Sequence, residues 1–312
     1  MLALVSLAFG VAGGLARLTP IPVPINALAL HGPLMVSAFL GTVISLERAA
    51  ALGRLWAYAA PLCAGLGGVL LLLGLPGEGF VLMALAGGVL LIASLASFKR
   101  QASLGAATLA GGALAWLAGN LSVLMGLAAV PWWIAFLVLT ISGERLELAR
   151  HPRKMFLPIA AAVLVAPLMP RILGLVLVLL TVWLFAFDRA RFTLREAKRP
   201  RYVALCLMAG YFWLAAGGVL MALSIGYDAA LHAIFLGFVF SMVLAHAPLP
   251  YSSLLYLPLV LLQASLAARV LLSRELGGWG NAAAIALFIA IAAILLFSRA
   301  SSGRLKRSGP GR

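Results

Sequence analysis

Long apolar stretches, separated by short polar ones, organise this chain from end to end. Stretches 2–17, 27–46, 56–75, 79–98, 104–126, 131–145, 155–169, 171–188, 202–223, 230–248, 254–272 and 281–298 are almost free of charge. Each is near the length of helix that crosses the hydrocarbon core of a bilayer. The pattern predicts an all-α, polytopic membrane bundle of about twelve transmembrane helices. The punctuation between stretches agrees. TPIPVPIN after the first span is too rich in proline to continue a helix, and Asn26 is placed to cap the second. GLPGEG joins the third and fourth spans as a turn. Spans five and six meet at VPWW, where Trp132 and Trp133 suit a membrane–water boundary. APLMPR, with Pro167 and Pro170, divides spans seven and eight.

Composition narrows the class further. The chain has 312 residues, of which 64% are hydrophobic and 10% charged. A soluble domain of this size has no use for so much apolar surface. No stretch reads as a separate soluble domain, so 1–312 is expected to be one transmembrane domain, with 301–312 a basic cytoplasmic tail. MLALVSLAFGVAGG lacks a basic segment before its apolar run and is read as the first spanning helix rather than a cleaved signal. Cys63 and Cys206 both lie in apolar spans and suggest neither a disulfide framework nor a CxxC metal motif.

The net charge of +15 raises the question of nucleic acid. Its distribution answers it. Nineteen of the 23 Lys and Arg residues follow even-numbered spans; Arg17, Arg171, Arg269 and Arg274 are the four that follow odd-numbered ones. That asymmetry obeys the positive-inside rule, with both termini on the cytoplasmic side of a prokaryotic inner membrane. Membrane lipids, not nucleic acid, are the partners such a charge pattern implies.

An internal repeat underlies the spans. FLGTVISLER starts at Phe39, FLVLTISGER at Phe136 and FLGFVFSMVL at Phe235, offsets of 97 and 99 residues. The first two share FL, IS and ER; the first and third share FLG, V and S. Three copies of four helices, about 1–100, 101–200 and 201–300, give a pseudo-threefold bundle. Chance similarity among Leu- and Phe-rich helices is the competing explanation.

Four histidines are the candidates for chemistry. His31 and His232 stand a few residues into spans two and ten, roughly 5 Å below the outer face at 1.5 Å per residue. An ionisable group inside a bilayer is costly and therefore a functional candidate. Two imidazoles at one depth on separate helices make the ligand set of a six-coordinate b-type haem, one nitrogen on each side of the iron. Gly32, Gly41 and Gly237 would let a porphyrin or a neighbouring backbone come close. The plainer alternative is a histidine hydrogen-bonded inside the bundle. His246 lies about 21 Å further along an ideal helix than His232 and cannot share its iron. It is a second metal or haem ligand, a proton-handling group, or an interfacial residue before Pro248. His151, in ARHPRK, reads as a solvated loop residue.

Other polar groups are weaker signals. His31 with Met35, and Met242 with His246, share helix faces at a spacing that can hold Cu(I), although packing explains such methionines as well. Glu47–Arg48 and Glu144–Arg145 end spans two and six, where ion pairs are expected. Asn120, Tyr211 and Gln263 are scattered, without the broken-helix signature of a transporter site. Arg269 and Arg274, near Trp279, flank the outer connection between the last two spans. A haem held by His31 and His232 would turn its propionates toward that side, and guanidinium forks suit carboxylates; ordinary loop arginines would look the same.

Twelve helices in three sets of four, with histidines in the second and tenth, resemble the catalytic subunit of haem–copper oxidases. His31-Gly-Pro-Leu-Met35 is similar to the HGxxM segment of that family's second helix. The resemblance implies His31 and His232 as haem ligands, and Arg269 and Arg274 as counterparts of its propionate-binding arginines. The copper-binding histidines of the sixth and seventh helices have no equivalent here, so copper-dependent oxygen reduction is not expected. The chain more closely resembles the NnrS family of twelve-helix haem proteins linked to nitric oxide metabolism. Members carry HxxxM in an early helix and a later helix with a histidine at each end, as from His232 to His246. The expectation is an integral-membrane protein with a low-spin, bis-histidine haem b, serving electron transfer with a quinone or redox protein, redox sensing, or a nitric oxide response. Whether it is an oxidoreductase is left open. A non-haem transporter and a factor assisting assembly of a respiratory complex are the alternatives.

Overall fold

Every described residue that belongs to a regular element is helical. The computed structural model describes residues 1–148 and 153–307; His151 and residues 308–312 of the basic tail lie outside them. The main helices are α1 (Leu2–Ala16), α2 (His31–Leu52), α3 (Leu55–Leu72), α4 (Pro76–Arg100), α5 (Leu104–Leu124), α6 (Val130–Leu148), α7 (Arg153–Val165), α8 (Pro170–Phe187), α9 (Arg199–Ala222), α10 (Tyr227–His246), α11 (Ser253–Leu271) and α12 (Arg274–Arg307). Each apolar stretch of the sequence overlaps one of them, but residues 27–30 precede α2, so His31 opens that helix instead of standing a few residues into it. Among the described residues, nine of these helices are long and apolar enough to cross a membrane; Leu2–Ala16 and Phe156–Leu168 are shorter apolar segments. The architecture is compatible with a membrane protein. Large apolar side chains such as Leu85, Ile92, Leu179, Val182, Val260 and Phe297 face outward on the long helices, as lipid contact requires.

The helix ends follow local chemistry. Pro76 opens α4 at a position where its missing N–H costs nothing, with Glu78 in the first turn and Lys99 and Arg100 in the last. Ser103 caps α5 by accepting from the Ala106 N–H at 3.0 Å. Gly53, at φ 65°, ends α2 in the left-handed conformation that side chains avoid.

The helices form two compact units. The first comprises Met1–Arg189 with Ala215–Ala230. Here α3 packs on α4, α4 on α5, α5 on α6 and α7 on α8. Small residues set these distances, as expected where lipid removes the usual hydrophobic drive between helices. A Cβ on Gly67 would lie 2.8 Å from the Gly79 carbonyl, and one on Gly112 2.9 Å from Thr140 Oγ1. Larger contacts fill the rest: Trp116 stacks on Phe136 at 5.1 Å, and Phe156 tilts against Trp183 at 4.9 Å. The second unit comprises Ala190–Leu214 with Leu231–Arg312. In it α11 and α12 form a tight hairpin, Gly280 seating Ser265, whose hydroxyl donates to Asn281 Oδ1 at 2.7 Å. The last helix continues to Arg307, so the first part of the basic tail is helical.

The Glu-Arg pairs that end α2 and α6 do more than bind within themselves. Arg48 reaches Glu144 on α6 and stands 3.9 Å from its neighbour Glu47. Arg145 binds Asp188, just beyond α8, through two parallel bonds of 2.7 Å, with only 6% and 1% of the two side chains exposed. A bidentate, doubly hydrogen-bonded geometry is what makes burial of such a pair tolerable.

Candidate functional site

The surroundings of His31 begin with proline. Pro24 N-caps the single helical turn Ile25–Ala29, and Leu30, at φ −105° and ψ 24°, interrupts it. Asn26 is thus not the cap; its side-chain amide donates to the Leu72 carbonyl at 3.2 Å and closes the end of α3. Pro33 has no N–H for the carbonyl of Ala29 four residues earlier. Arg17 supplies the donor: its Nη2 binds Ala29 O at 2.9 Å and its Nε binds Leu28 O at 2.8 Å. One guanidinium therefore completes the backbone just ahead of the histidine.

His31 itself is half-buried and turned onto α1. Its Nδ1 lies 2.6 Å from the carbonyl oxygen of Gly10. A carbonyl can only accept, so Nδ1 is the donor, and a neutral ring then carries its lone pair on Nε2. Gly14 allows this seat, since a Cβ there would lie 2.7 Å from the ring carbon Cε1. Gly10 holds Met35 in the same way, its absent Cβ lying 2.7 Å from the sulfur. Met35 is a packing residue on α1, next along from the histidine.

Directly after His31–Pro33, residues Leu34–Leu40 wind as a π-helix before the α-helix resumes at Gly41. The tenth helix is built the same way. Tyr227–His232 is α-helical, Ala233–Phe240 is π-helical, and α-helix returns at Ser241. Long π-turns are rare and concentrate at functional sites. Here both follow a histidine. His232 is half-buried. His31 belongs to the first unit and His232 to the second.

Each π-bearing helix is also held by a tryptophan and a carboxamide. In the first unit, a Cβ on Gly41 would overlap the Trp116 ring. Trp116 Nε1 donates to Ser37 Oγ at 2.9 Å, and Ser37 donates to Asn120 Oδ1 at 2.7 Å. Asn120 also accepts from Trp133 Nε1 at 3.2 Å and donates to Met83 O at 3.0 Å. Trp133 is therefore buried at the amide, not set at a wet boundary. In the second unit, Gly237 seats Trp213. Trp213 Nε1 donates to Gln263 Oε1 at 2.7 Å, and Gln263 Nε2 to Ser241 Oγ at 3.0 Å. Asn120 and Gln263, which look scattered in sequence, are the fastenings of α2 and α10.

The remaining candidates are dispersed. His246 is exposed at the end of α10 and donates from Nδ1 to Met242 O at 2.9 Å, while the Met242 side chain packs on Gly210. Arg269 is 9% exposed, lies against Gly277, and reaches the Arg274 carbonyl at 3.4 Å; the Arg274 side chain is exposed. Cys63 and Cys206 are free thiols. Among the described residues, no three of His, Cys, Asp and Glu gather as a metal-binding group, and a two-histidine haem site calls for none. The sequence singled out Gly41 and Gly237 for close approach but not the indoles of Trp116 and Trp213 that fill those places, nor the roles of Gly10, Gly14, Arg17 and Asp188. A signal existed for some of them: GVAGG is a small-residue face on α1, and Trp116 and Trp213 stand 97 residues apart, at the repeat offset.

The chain belongs to a family whose description is Domain of unknown function (DUF8744), the family model matching residues 1–298. No curated protein and no solved structure matches it.

Proposed function

We propose that this protein is an integral-membrane b-type haem protein of a prokaryotic cytoplasmic membrane, with His31 and His232 as the axial ligands of a low-spin iron. The observation that carries the reading is the hydrogen bond from His31 Nδ1 to Gly10 O. Histidines that bind metal through one ring nitrogen almost always donate from the other to a carbonyl or carboxylate, which fixes the tautomer and the ring plane. The donor set at His31 fits that requirement. The π-turns that follow both histidines add support, as does the resemblance to the NnrS family.

The chain's own residues would share the work. Gly10 orients the imidazole, Gly14 gives it room, and Arg17 keeps the preceding backbone satisfied. Arg269 and Arg274 are the cations for the propionates. Bound haem would supply one-electron exchange. Haem held by His31 and His232 would favour electron transfer with a quinone or a redox protein as the role, with a nitric oxide response the second. Copper chemistry has no place in the scheme, and His246 is assigned no iron. Twelve crossings, a pseudo-threefold order of four-helix sets and cytoplasmic termini complete the reading. The arginine and lysine asymmetry supports that orientation. The recurrence of helix-seating glycines at Gly112 and Gly210 supports the repeat.

The test is the absorption spectrum of the purified full chain, produced with ample haem. Reduction by dithionite should give sharp α and Soret bands. His31→Ala and His232→Ala should each abolish the low-spin spectrum, while His151→Ala leaves it unchanged. A colourless preparation would overturn the haem assignment. Bands that survive both single substitutions would overturn the ligand pair alone.

A further inference from the structure

A second polar site lies wholly within the second unit, where the start of α9 meets the chain leaving α10. Lys198, Arg199 and Arg201 crowd the N-terminus of α9, and its first turn holds no acidic residue. That is the wrong end of a helix for cations. The N-terminus carries the positive pole of the macrodipole and normally attracts negative charge. Positive-inside bias accounts for basic residues on this side, but not for their concentration at this pole.

The independent observation is Tyr202, one turn into the helix. Its side chain is 2% exposed, and its hydroxyl oxygen has no hydrogen-bond partner. The ring is fixed edge-on against Tyr256 at 5.3 Å, and the thiol of Cys206, a weak hydrogen-bonding group, lies near the hydroxyl. Leaving a buried hydroxyl unpaired is costly. Tyr202 lines a small cavity together with Arg199, Ala245, Ala247, Leu249 and Tyr251, with room for about one water-sized group. At its rim the Arg199 guanidinium donates to the Ala247 carbonyl, at a long 3.5 Å. His246 stands between two of the lining residues. A buried donor, a guanidinium at the opening and a helix N-terminus thus converge on one space.

We propose that this cavity is an oxyanion site for a phosphate group, one oxygen entering to accept from Tyr202 and the remainder held at the rim by Arg199. A neutral ligand would leave the three cations and the helix pole unanswered. A phosphate group answers both, because helix N-termini and arginine forks are its usual partners. The group can belong to an anionic phospholipid or to free phosphate, since either presents the same oxygens.

The experiment uses the full chain, purified in detergent and stripped of lipid, with its melting temperature followed during two separate titrations. One titrant is phosphatidylglycerol in mixed micelles, with phosphatidylcholine as the reference; the other is inorganic phosphate. A saturable rise with phosphatidylglycerol alone assigns the site to lipid, and a rise with phosphate assigns it to the free anion. Tyr202→Phe and Arg199→Gln should each raise the half-saturating concentration about tenfold, as loss of one charge-assisted hydrogen bond does. Arg195→Gln, in the same basic segment but outside the cavity, should change it less than twofold. Without titrant, Tyr202→Phe should melt no lower than the parent protein, because it removes an unpaired hydroxyl and keeps the ring. Absence of a saturable response to either titrant, or equal effects of Arg195→Gln and Arg199→Gln, would overturn the proposal.

Discussion

The helices α2 and α10 solve one packing problem with different chemistry. Both pass from a histidine-bearing turn into π-turns and return to α-helix. Both carry a serine and a glycine four residues apart, the glycine seating a tryptophan and the serine joined to a carboxamide. The order is reversed, however. Ser37 precedes Gly41 in α2, whereas Gly237 precedes Ser241 in α10. The polar chains differ as well. In the first unit the indole N–H meets the serine, which passes its own proton to Asn120. In the second the indole meets Gln263, which donates to the serine. What repeats is therefore the physical device, a close indole seat with a satisfied hydroxyl, more than the identity of each residue. The depth of the device differs too: Ser37 and Asn120 are fully buried, and Gln263 is half-buried.

That difference in depth makes the sharpest prediction. Asn120→Leu strands the Trp133 and Ser37 donors in a dry core, and should lower stability by about 2–6 kcal/mol, at about 1–3 for each group left unpaired. Gln263→Leu should cost only about 1 kcal/mol, because Gln263 is itself half-buried and water can take the place of its amide. Denaturant titration of the detergent-solubilised protein compares them, and equal losses would break the contrast. The glycine seats should behave alike. Gly41→Ala and Gly237→Ala each push a methyl group into an indole ring that packing holds in place, costing about 2 kcal/mol, read as matched drops in melting temperature. A loss at only one of them would mean that the two seats are not equivalent. The smallest effect belongs to the feature that α10 does not share. Arg17→Ala exposes the Leu28 and Ala29 carbonyls to solvent and should cost about 1 kcal/mol. Hydrogen exchange should rise around Ile25–Ala29 and leave Tyr227–His232 unchanged.

Much of the helical plan is legible without coordinates. A span needs only enough consecutive apolar residues, and a break needs proline, glycine or charge; both are local properties. The TPIPVPIN segment announces a stiff connection, but not that Pro33 would leave the Ala29 carbonyl for Arg17 to fill. Glu144 and Arg145 announce a charged helix end, yet their neighbours in sequence cannot reveal Arg48 and Asp188 as partners from other helices. Trp133, read from its place beside Pro131 as a boundary residue, is buried because Asn120 on α5 offers its indole an acceptor. His31 could be singled out as a polar group in an apolar span, but the glycine carbonyl that sets its tautomer lies 21 residues away.

The sequence alone determined the helical class, the positions of the apolar stretches and the asymmetric charge between them, since each depends on residues adjacent along the chain. Only the tertiary structure decided which polar groups are satisfied and by whom. Hydrogen bonds and ion pairs are short and directional, and their partners here come from separate helices. It also decided the path of α2 and α10, where π-turns displace each later side chain from the face an ideal helix would give it.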